Sequence, residues 1–165
     1  QLINGHTRAL LDEIGLPAHR IVLELTEQQR VTDLPDIHAV LAHYRGRGFQ
    51  IAIDDLGEGF ANLRMWSELQ PEFVKIDKHF VLSTDPRVQA VIEGAVHIAH
   101  RFGLRVIAEG VESAASASQL AQLGVDELQG YFFGRPQPHA QLAPVAWPTL
   151  PSPSATPLPL GCIQS

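Results

Sequence analysis

The chain has 165 residues, of which 45% are hydrophobic and 18% are charged, and its formal net charge is −6. These values are typical of one globular domain with its own core, and the charge argues against binding long nucleic acid through a basic face. A small phosphate ligand is not excluded, because bound metal ions can reverse the local field. The one cysteine, Cys162, excludes a disulfide framework and a cysteine-based zinc site.

The first half of the chain alternates helical and extended patterns. Apolar residues at partly helical spacing predict a helix over residues 2–14, and a β-branched run predicts a strand over 20–25. A second helix begins at Thr32 or Asp33 as its N-cap. The apolar run 51–53 then predicts a strand that is buried on both faces.

The second half continues the alternation. It predicts a helix over residues 62–69, a strand over 73–77, a helix from Asp85 to Gly103, a strand over 104–108, a helix over 114–123 and a strand over 125–129. From Pro144 onward the chain is rich in proline and serine, which indicates disorder. We therefore expect one domain over residues 1–143 and a disordered tail over 144–165.

This pattern predicts an α/β fold with a parallel sheet covered by helices, either an open doubly wound sheet or a (β/α)₈ barrel. Ionisable or amide side chains lie at the C-terminal end of every predicted strand. In chain order they are Glu24 and Glu27, Asp54 and Asp55, Lys75 and Asp77, Glu109 and Glu112, and Gln129. An open sheet concentrates such residues at one switch point, whereas a barrel distributes them over many strand ends, so the barrel is favoured.

The chemistry of these residues indicates a metal site. Clustered carboxylates without cysteine prefer Mg²⁺ or Mn²⁺, and Ca²⁺ stays open. A pair of such ions suits phosphodiester hydrolysis. Lys75 lies between Val74 and Ile76 in a buried strand, where a lysine needs acidic partners. Asp77 is interpreted as a cap of the following turn, and His97 and His100 as residues of an outer helix without a metal role.

Five motifs together resemble the EAL domain family, in its order and at about its spacing. They are ELTE (24–27), DDLGEG (54–59), VKID (74–77), AEGVE (108–112) and QGY (129–131), and the resemblance extends from residue 1 to about residue 138. It implies a bacterial domain with a modified (β/α)₈ TIM-like barrel that hydrolyses cyclic di-GMP to linear pGpG with Mg²⁺ or Mn²⁺. The chain would supply the C-terminal two-thirds of that barrel, with about five to six strands.

The resemblance also implies a role for each matching residue. The metal ligands would be Glu24, Asp54 and Asp55. The catalytic groups would be Lys75, beside the nucleophilic water, and Glu109, as general base or second-metal ligand. The supporting groups would be Gln129 at the water or metal shell, Glu112 near the ligand, and Glu27, which would anchor the loop 56–60.

Two features of the family pattern are missing from the chain. The Glu-Ala-Leu motif and an asparagine ligand would precede Gln1, so we expect a fragment with little activity of its own. In the whole protein we expect a sensory or GGDEF-type domain upstream. We expect the domain in this chain to be cytoplasmic, with a membrane anchor elsewhere in the protein as one option, and a homodimer is a further option. Two alternatives remain open: a cyclic di-GMP receptor without turnover, and an interaction module that binds no nucleotide.

Overall fold

The computed structural model of the protein describes residues 6–25, 34–56 and 61–136. The helices are α1 (His6–Glu13), α2 (Leu34–Arg45), α3 (Ala61–Leu69), α4 (Lys78–Val81), α5 (Pro86–Arg101) and α6 (Ala114–Gln122). The strands are β1 (Val22–Leu25), β2 (Gln50–Leu56), β3 (Phe73–Ile76), β4 (Arg105–Ala108) and β5 (Glu127–Leu128), and a 3-10 turn (Ala18–Arg20) precedes β1. None of these helices has the length and apolarity that crossing a membrane requires.

The five strands form one sheet in the order β1-β2-β3-β4-β5, and all neighbouring pairs are parallel. Consecutive strands are therefore adjacent, and each crossover carries at least one helix, as in the wall of a (β/α) barrel. Within the described residues the sheet ends at β1 and β5 and is not closed. The predicted α/β class is confirmed, and the open sheet fits an incomplete barrel.

Alternation along the strands separates the two faces of the sheet. One face packs under the helices, where Val74 and Ile76 of β3 join a core with Trp66 of α3 and Val96 of α5. Phe73 and Lys75 alternate with these residues and lie outside that core cluster, although both are buried. Lys75 therefore occupies the face of the sheet that is opposite to the helices.

Several predicted boundaries differ from the structure. Strand β2 continues through Asp54 and Asp55 to Leu56, whereas the sequence pattern places both acids beyond the strand. Strand β5 has only two residues, and the one-turn helix α4 is absent from the prediction. The predicted start of the first helix, the Thr32 or Asp33 cap and the tail lie outside the described residues.

The prediction for α5 is confirmed. The side chain of Asp85 is its N-cap and accepts a hydrogen bond from the Arg87 backbone N–H, at a donor–acceptor distance of 2.8 Å. Pro86 occupies the first helical position, where a missing N–H costs nothing.

Candidate active site around Lys75

Lys75 is the centre of a cluster of carboxylates at the C-terminal ends of adjacent strands. All four residues of β3 are buried, and the Lys75 side chain is only 6% exposed. Its Nζ lies 2.9 Å from Oε2 of Glu24, 3.4 Å from Oδ1 of Asp54 and 2.5 Å from Oε1 of Glu109. Glu24 lies in β1, Asp54 lies in β2 and Glu109 directly follows β4. With Lys75, the structure therefore brings together four of the predicted site residues.

A β-bulge in β2 lies at the acidic pair of this site. The register with β3 joins Ile53 to Val74 and then Leu56 to Ile76. Between these two pairs, Lys75 of β3 alone faces both Asp54 and Asp55 of β2, so β2 has one extra residue at this point. A bulge changes the direction of the side chains in its strand. In this arrangement Asp54 reaches Lys75 on the neighbouring strand.

The surroundings of Lys75 fix its charge. Burial alone would lower the pKa of the Lys75 ammonium group. The ammonium group, however, donates hydrogen bonds to Glu109 and Glu24 and lies beside the negative charge of Asp54. Together these partners raise the pKa of Lys75 above its ordinary value of 10.5. One cation faces three carboxylates, so the cluster keeps an excess of formal negative charge that favours a further cation.

The chemistry of the donors fits a hard divalent cation, because Glu24, Asp54 and Glu109 offer only carboxylate oxygens. In the structure, however, these carboxylate oxygens are arranged around the ammonium group of Lys75. In the part of the chain that the structure describes, no three or more His, Cys, Asp or Glu side chains are grouped so that they could hold a metal ion. For Asp55 only the backbone is described, and Glu27 and the loop 57–60 lie outside the described residues.

The structure also describes three other predicted residues. Gln129 follows β5 with an exposed side chain, and its backbone N–H donates to the Ala108 carbonyl over 2.8 Å. Glu112 is exposed and precedes Ser113, the N-cap of α6. The interpretation of Asp77 as a cap is confirmed, because its side chain accepts from the His79 N–H at the start of α4.

Sequence reasoning missed the turn that carries Glu109. Gly110 has a φ of +69°, which favours glycine, and Gly130 lies directly against Val111. The Val111 N–H donates to the Gln129 carbonyl, and the Val111 carbonyl accepts from the Phe132 N–H, both over 3.0 Å. The available signal is a glycine directly after a polar residue at two strand ends, Glu109-Gly110 and Gln129-Gly130.

A parallel sheet in chain order, with a lysine and carboxylates meeting at adjoining C-terminal strand ends, defines a (β/α)-barrel type of domain with an acidic site. The sequence model of the EAL domain matches residues 2–136 of the chain. The chain therefore belongs to the EAL domain family, and the resemblance drawn from the five motifs is confirmed.

Known relatives include proteins named for cyclic di-GMP. The cyclic di-GMP phosphodiesterase PdeL of Escherichia coli is 34% identical over 131 residues, which cover 78% of this chain and 36% of PdeL. The chain thus spans about a third of that relative's length.

Solved structures show the same fold with ligands. A cyclic di-GMP complex of the PaMucR phosphodiesterase has a TM-score of 0.73 and 32% identity, and the match covers 85% of this chain and 59% of that one. A manganese and cyclic di-GMP complex of BlrP1 from Klebsiella pneumoniae has a TM-score of 0.73 and 30% identity, with 80% of this chain and 34% of that one covered. A calcium complex of BlrP1 with cyclic di-GMP has a TM-score of 0.72.

Proposed function

We propose that this chain forms the C-terminal two-thirds of a phosphodiesterase domain that hydrolyses cyclic di-GMP to linear pGpG with Mg²⁺ or Mn²⁺. The observation that carries the proposal is the position of Lys75 Nζ, within 3.4 Å of carboxylates from three different strand ends. A relative named as a cyclic di-GMP phosphodiesterase and neighbours solved with that nucleotide support the choice of substrate.

In this proposal Glu24, Asp54 and Asp55 hold the divalent ions. When bound, such ions would supply positive charge that offsets the negative charge of the phosphodiester and lowers the pKa of a water molecule at the site. The BlrP1 complexes with manganese and calcium support a divalent ion at a site of this kind. Lys75 itself cannot bind a metal while protonated, and it supplies a fixed positive charge beside the ligands.

The two catalytic groups act on the attacking water and on the phosphate. Lys75 donates N–H groups to the water oxygen or to the negative charge that develops on phosphate oxygen. Glu109 accepts the proton that the water loses as its oxygen bonds to phosphorus. The bond from phosphorus to the 3′ oxygen breaks, and that oxygen takes a proton from solvent, which gives a 5′ phosphate and a 3′ hydroxyl.

Three further residues support the site in this proposal. Gln129, whose side chain is exposed directly after β5, helps to hold the water or the metal shell. Glu112 contacts the nucleotide or supports the neighbouring turn. Glu27 anchors the loop 56–60.

We further propose a domain over residues 1–143, with a tail over 144–165, within a longer protein. A relative, MucR of Pseudomonas aeruginosa, is named as a bifunctional diguanylate cyclase and phosphodiesterase and is 34% identical over 143 residues. A GGDEF-type or sensory domain upstream, a cytoplasmic site of action and a homodimer belong to this proposal.

One observation favours a second candidate, a cyclic di-GMP receptor without turnover. Within the described ranges the carboxylates converge on Lys75 rather than on a common point for a metal ion. An ion-pair cluster of this kind can hold in place the loops that contact a nucleotide, without activating a water molecule.

The two candidates are separated by measuring hydrolysis and binding in parallel. Turnover of cyclic di-GMP is followed with Mn²⁺ and with Mg²⁺, both for this chain and for a longer chain that completes the barrel, and binding is followed by calorimetry. We expect turnover in the longer chain and little in this one, because the described sheet is not closed. We also expect Lys75→Ala to lower kcat by about 100- to 1000-fold.

The matched control is Lys78→Ala, which removes the same charge from an exposed lysine three positions along the chain. It should leave kcat unchanged. Tight binding with no hydrolysis above the Lys75→Ala level would select the receptor, and the absence of both would exclude the two candidates together.

A further inference from the structure

The turn of residues 109–111, which we call the Glu109 turn, is fixed at each of its three residues. The Glu109 N–H donates to the Ile76 carbonyl over 3.1 Å and so continues the pairing of β4 with β3. Gly110 packs on Lys78, the first residue of α4. Val111 is fully buried, and both of its backbone groups bond to residues 129–132 beyond β5.

Two glycines make this packing so close that a methyl group has no room. A Cβ on Gly130 would lie 2.1 Å from the Val111 carbonyl oxygen and 2.3 Å from its nitrogen. A Cβ on Gly110 would lie 2.5 Å from Cβ of Lys78. The atoms opposite Gly130 are backbone atoms, so they can move only if the whole Glu109 turn moves.

We propose that the Glu109 turn is a positioning element that holds the Glu109 carboxylate on Lys75, and that Gly110, Val111 and Gly130 are its positioning residues. Glu109 lies just past the end of β4, where the sheet alone no longer fixes a side chain. Its Oε1 nevertheless makes the shortest of the three contacts with Lys75 Nζ, at 2.5 Å. The link from Gln129 and Phe132 through Val111 explains this, because it fixes the far side of the turn.

The consequence for turnover rests on the proposed function, whereas the placement of Glu109 does not. A shift of about 1 Å at a catalytic group can lower a rate by about 100-fold. We therefore expect Gly130→Ala to lower kcat by about 10- to 100-fold in the longer chain, with KM changed by less than about twofold.

Placement is measured without activity, in the 165-residue chain itself. The readout is the ¹³C chemical shift of the Glu109 side-chain carboxylate at one fixed pH, assigned by its loss in Glu109→Gln. We expect Gly130→Ala to move this signal toward its position in Lys75→Met, where the partner ammonium is gone. Gly134→Ala is the matched control, because nothing lies within 4 Å of a Cβ at Gly134, and it should leave the signal in place.

A second pair of variants tests the other side of the turn. Gly110→Ala should move the same signal. Gly103→Ala is the control and should leave the signal in place, because it has the same cost of a positive φ, +77°, but nothing lies within 4 Å of its Cβ. Adding Lys78→Gly to Gly110→Ala removes the nearest atom that the new methyl group meets, at 2.5 Å, and leaves the Lys78 Cα at 3.3 Å, so it should bring the signal part of the way back.

Folded Gly130→Ala and Gly110→Ala variants with an unchanged Glu109 signal would overturn the proposal. Loss of the fold in both, with folded controls, would also overturn it, since the turn would then be part of the general core. A shifted signal in a longer chain that hydrolyses nothing would leave the positioning role intact and would count against the proposed function alone.

Discussion

The ammonium nitrogen of Lys75 lies 2.5 Å from Oε1 of Glu109, the shortest of its three contacts with carboxylates. The contact joins the middle of β3 to the residue that follows β4, so it crosses from one strand to the loop of the next. Because Lys75 is 6% exposed and Glu109 is 26% exposed, water screens this pair only in part. Both the stability of the chain and its affinity for cations should therefore depend on Lys75.

Lys75→Met tests this dependence. The substitution leaves three carboxylates facing one another, and we expect it to lower the free energy of unfolding by about 2 kcal/mol, less than for a fully buried pair because Glu24 is half exposed. Mn²⁺ should then stabilise the variant more than the natural chain, because the ion replaces the lost positive charge.

Urea unfolding with and without Mn²⁺ measures both effects. Lys78→Met is the control, since Lys78 is exposed and loses the same charge. An equal response of both proteins to Mn²⁺ would show that the carboxylates do not form a cation site once the lysine is gone.

Much of the site could be predicted because it depends on order along the chain. An acid or a lysine at the end of each apolar run becomes a neighbour of the others once the strands are parallel and in sequence. That rule alone places Glu24, Asp54 and Glu109 at the same edge of the sheet as Lys75. The bulge at Asp54 and Asp55 could not be predicted, because it is a property of the register between β2 and β3.

Two carboxylates at the opposite ends of the strands were also missed, since their role depends on a neighbouring strand. Glu72 precedes β3, and its Oε2 accepts a hydrogen bond from the Ile51 N–H in β2 over 2.7 Å. Asp126 precedes β5, and its Oδ2 accepts from the Val106 N–H in β4, also over 2.7 Å. In both cases an acid just before one strand caps the backbone of the preceding strand. A single sequence shows such residues only as polar positions before apolar runs.

The cap of α4 should make stability depend on pH. Partial burial raises the pKa of Asp77, but hydrogen bonds from the backbone and ring of His79 outweigh it and leave the pKa below its ordinary value of 3.8. The stability gained in this way is complete above pH 3.8 and is lost as the pH falls through the lower pKa of the folded state. Asp77→Ala should cost about 1 kcal/mol at neutral pH, and this cost should shrink in acid.

The measurement is the unfolding free energy of both proteins between pH 7 and the lowest pH at which the chain stays folded. Asp77→Asn serves as the comparison, because an asparagine keeps the capping oxygen and loses the charge. It should retain most of the stability and show none of the additional loss in acid. A cost of Asp77→Ala that is constant over the whole range would contradict the role of the carboxylate.

Glu72 is expected to be a main contributor to the stability of the sheet. Its Oε1 also accepts from Nε of Arg45 over 3.0 Å, while Arg45 Nη2 donates to the Leu69 carbonyl. Glu72→Ala removes the acceptor of the Ile51 N–H and a partner of Arg45, and we expect a loss of about 2 kcal/mol. Glu127→Ala removes an exposed ion pair with Arg105 and should cost less than about 0.5 kcal/mol. Equal losses in urea unfolding would show that the Ile51 bond contributes little.

Asp126 repeats the arrangement of Glu72 two strands further along, with His100 in the place of Arg45. His100 lies in the last turn of α5, and its Nε2 is 2.9 Å from the same Oδ2 that accepts from the Val106 N–H. The backbone bond should contribute more, because the His100 side chain is 42% exposed and water can replace it. We expect Asp126→Ala to cost about 1 to 2 kcal/mol, and His100→Gln less than about 0.5 kcal/mol.

Amide hydrogen exchange at Val106 adds a local measurement to the unfolding free energies. Asp126→Ala should speed exchange of this N–H by more than the global loss of stability explains, because its acceptor is gone, whereas His100→Gln should not. If His100→Gln exposed the Val106 amide as strongly, the histidine would be what holds the carboxylate in place. The charge pair, rather than the backbone cap, would then be the main contribution of Asp126 to the sheet.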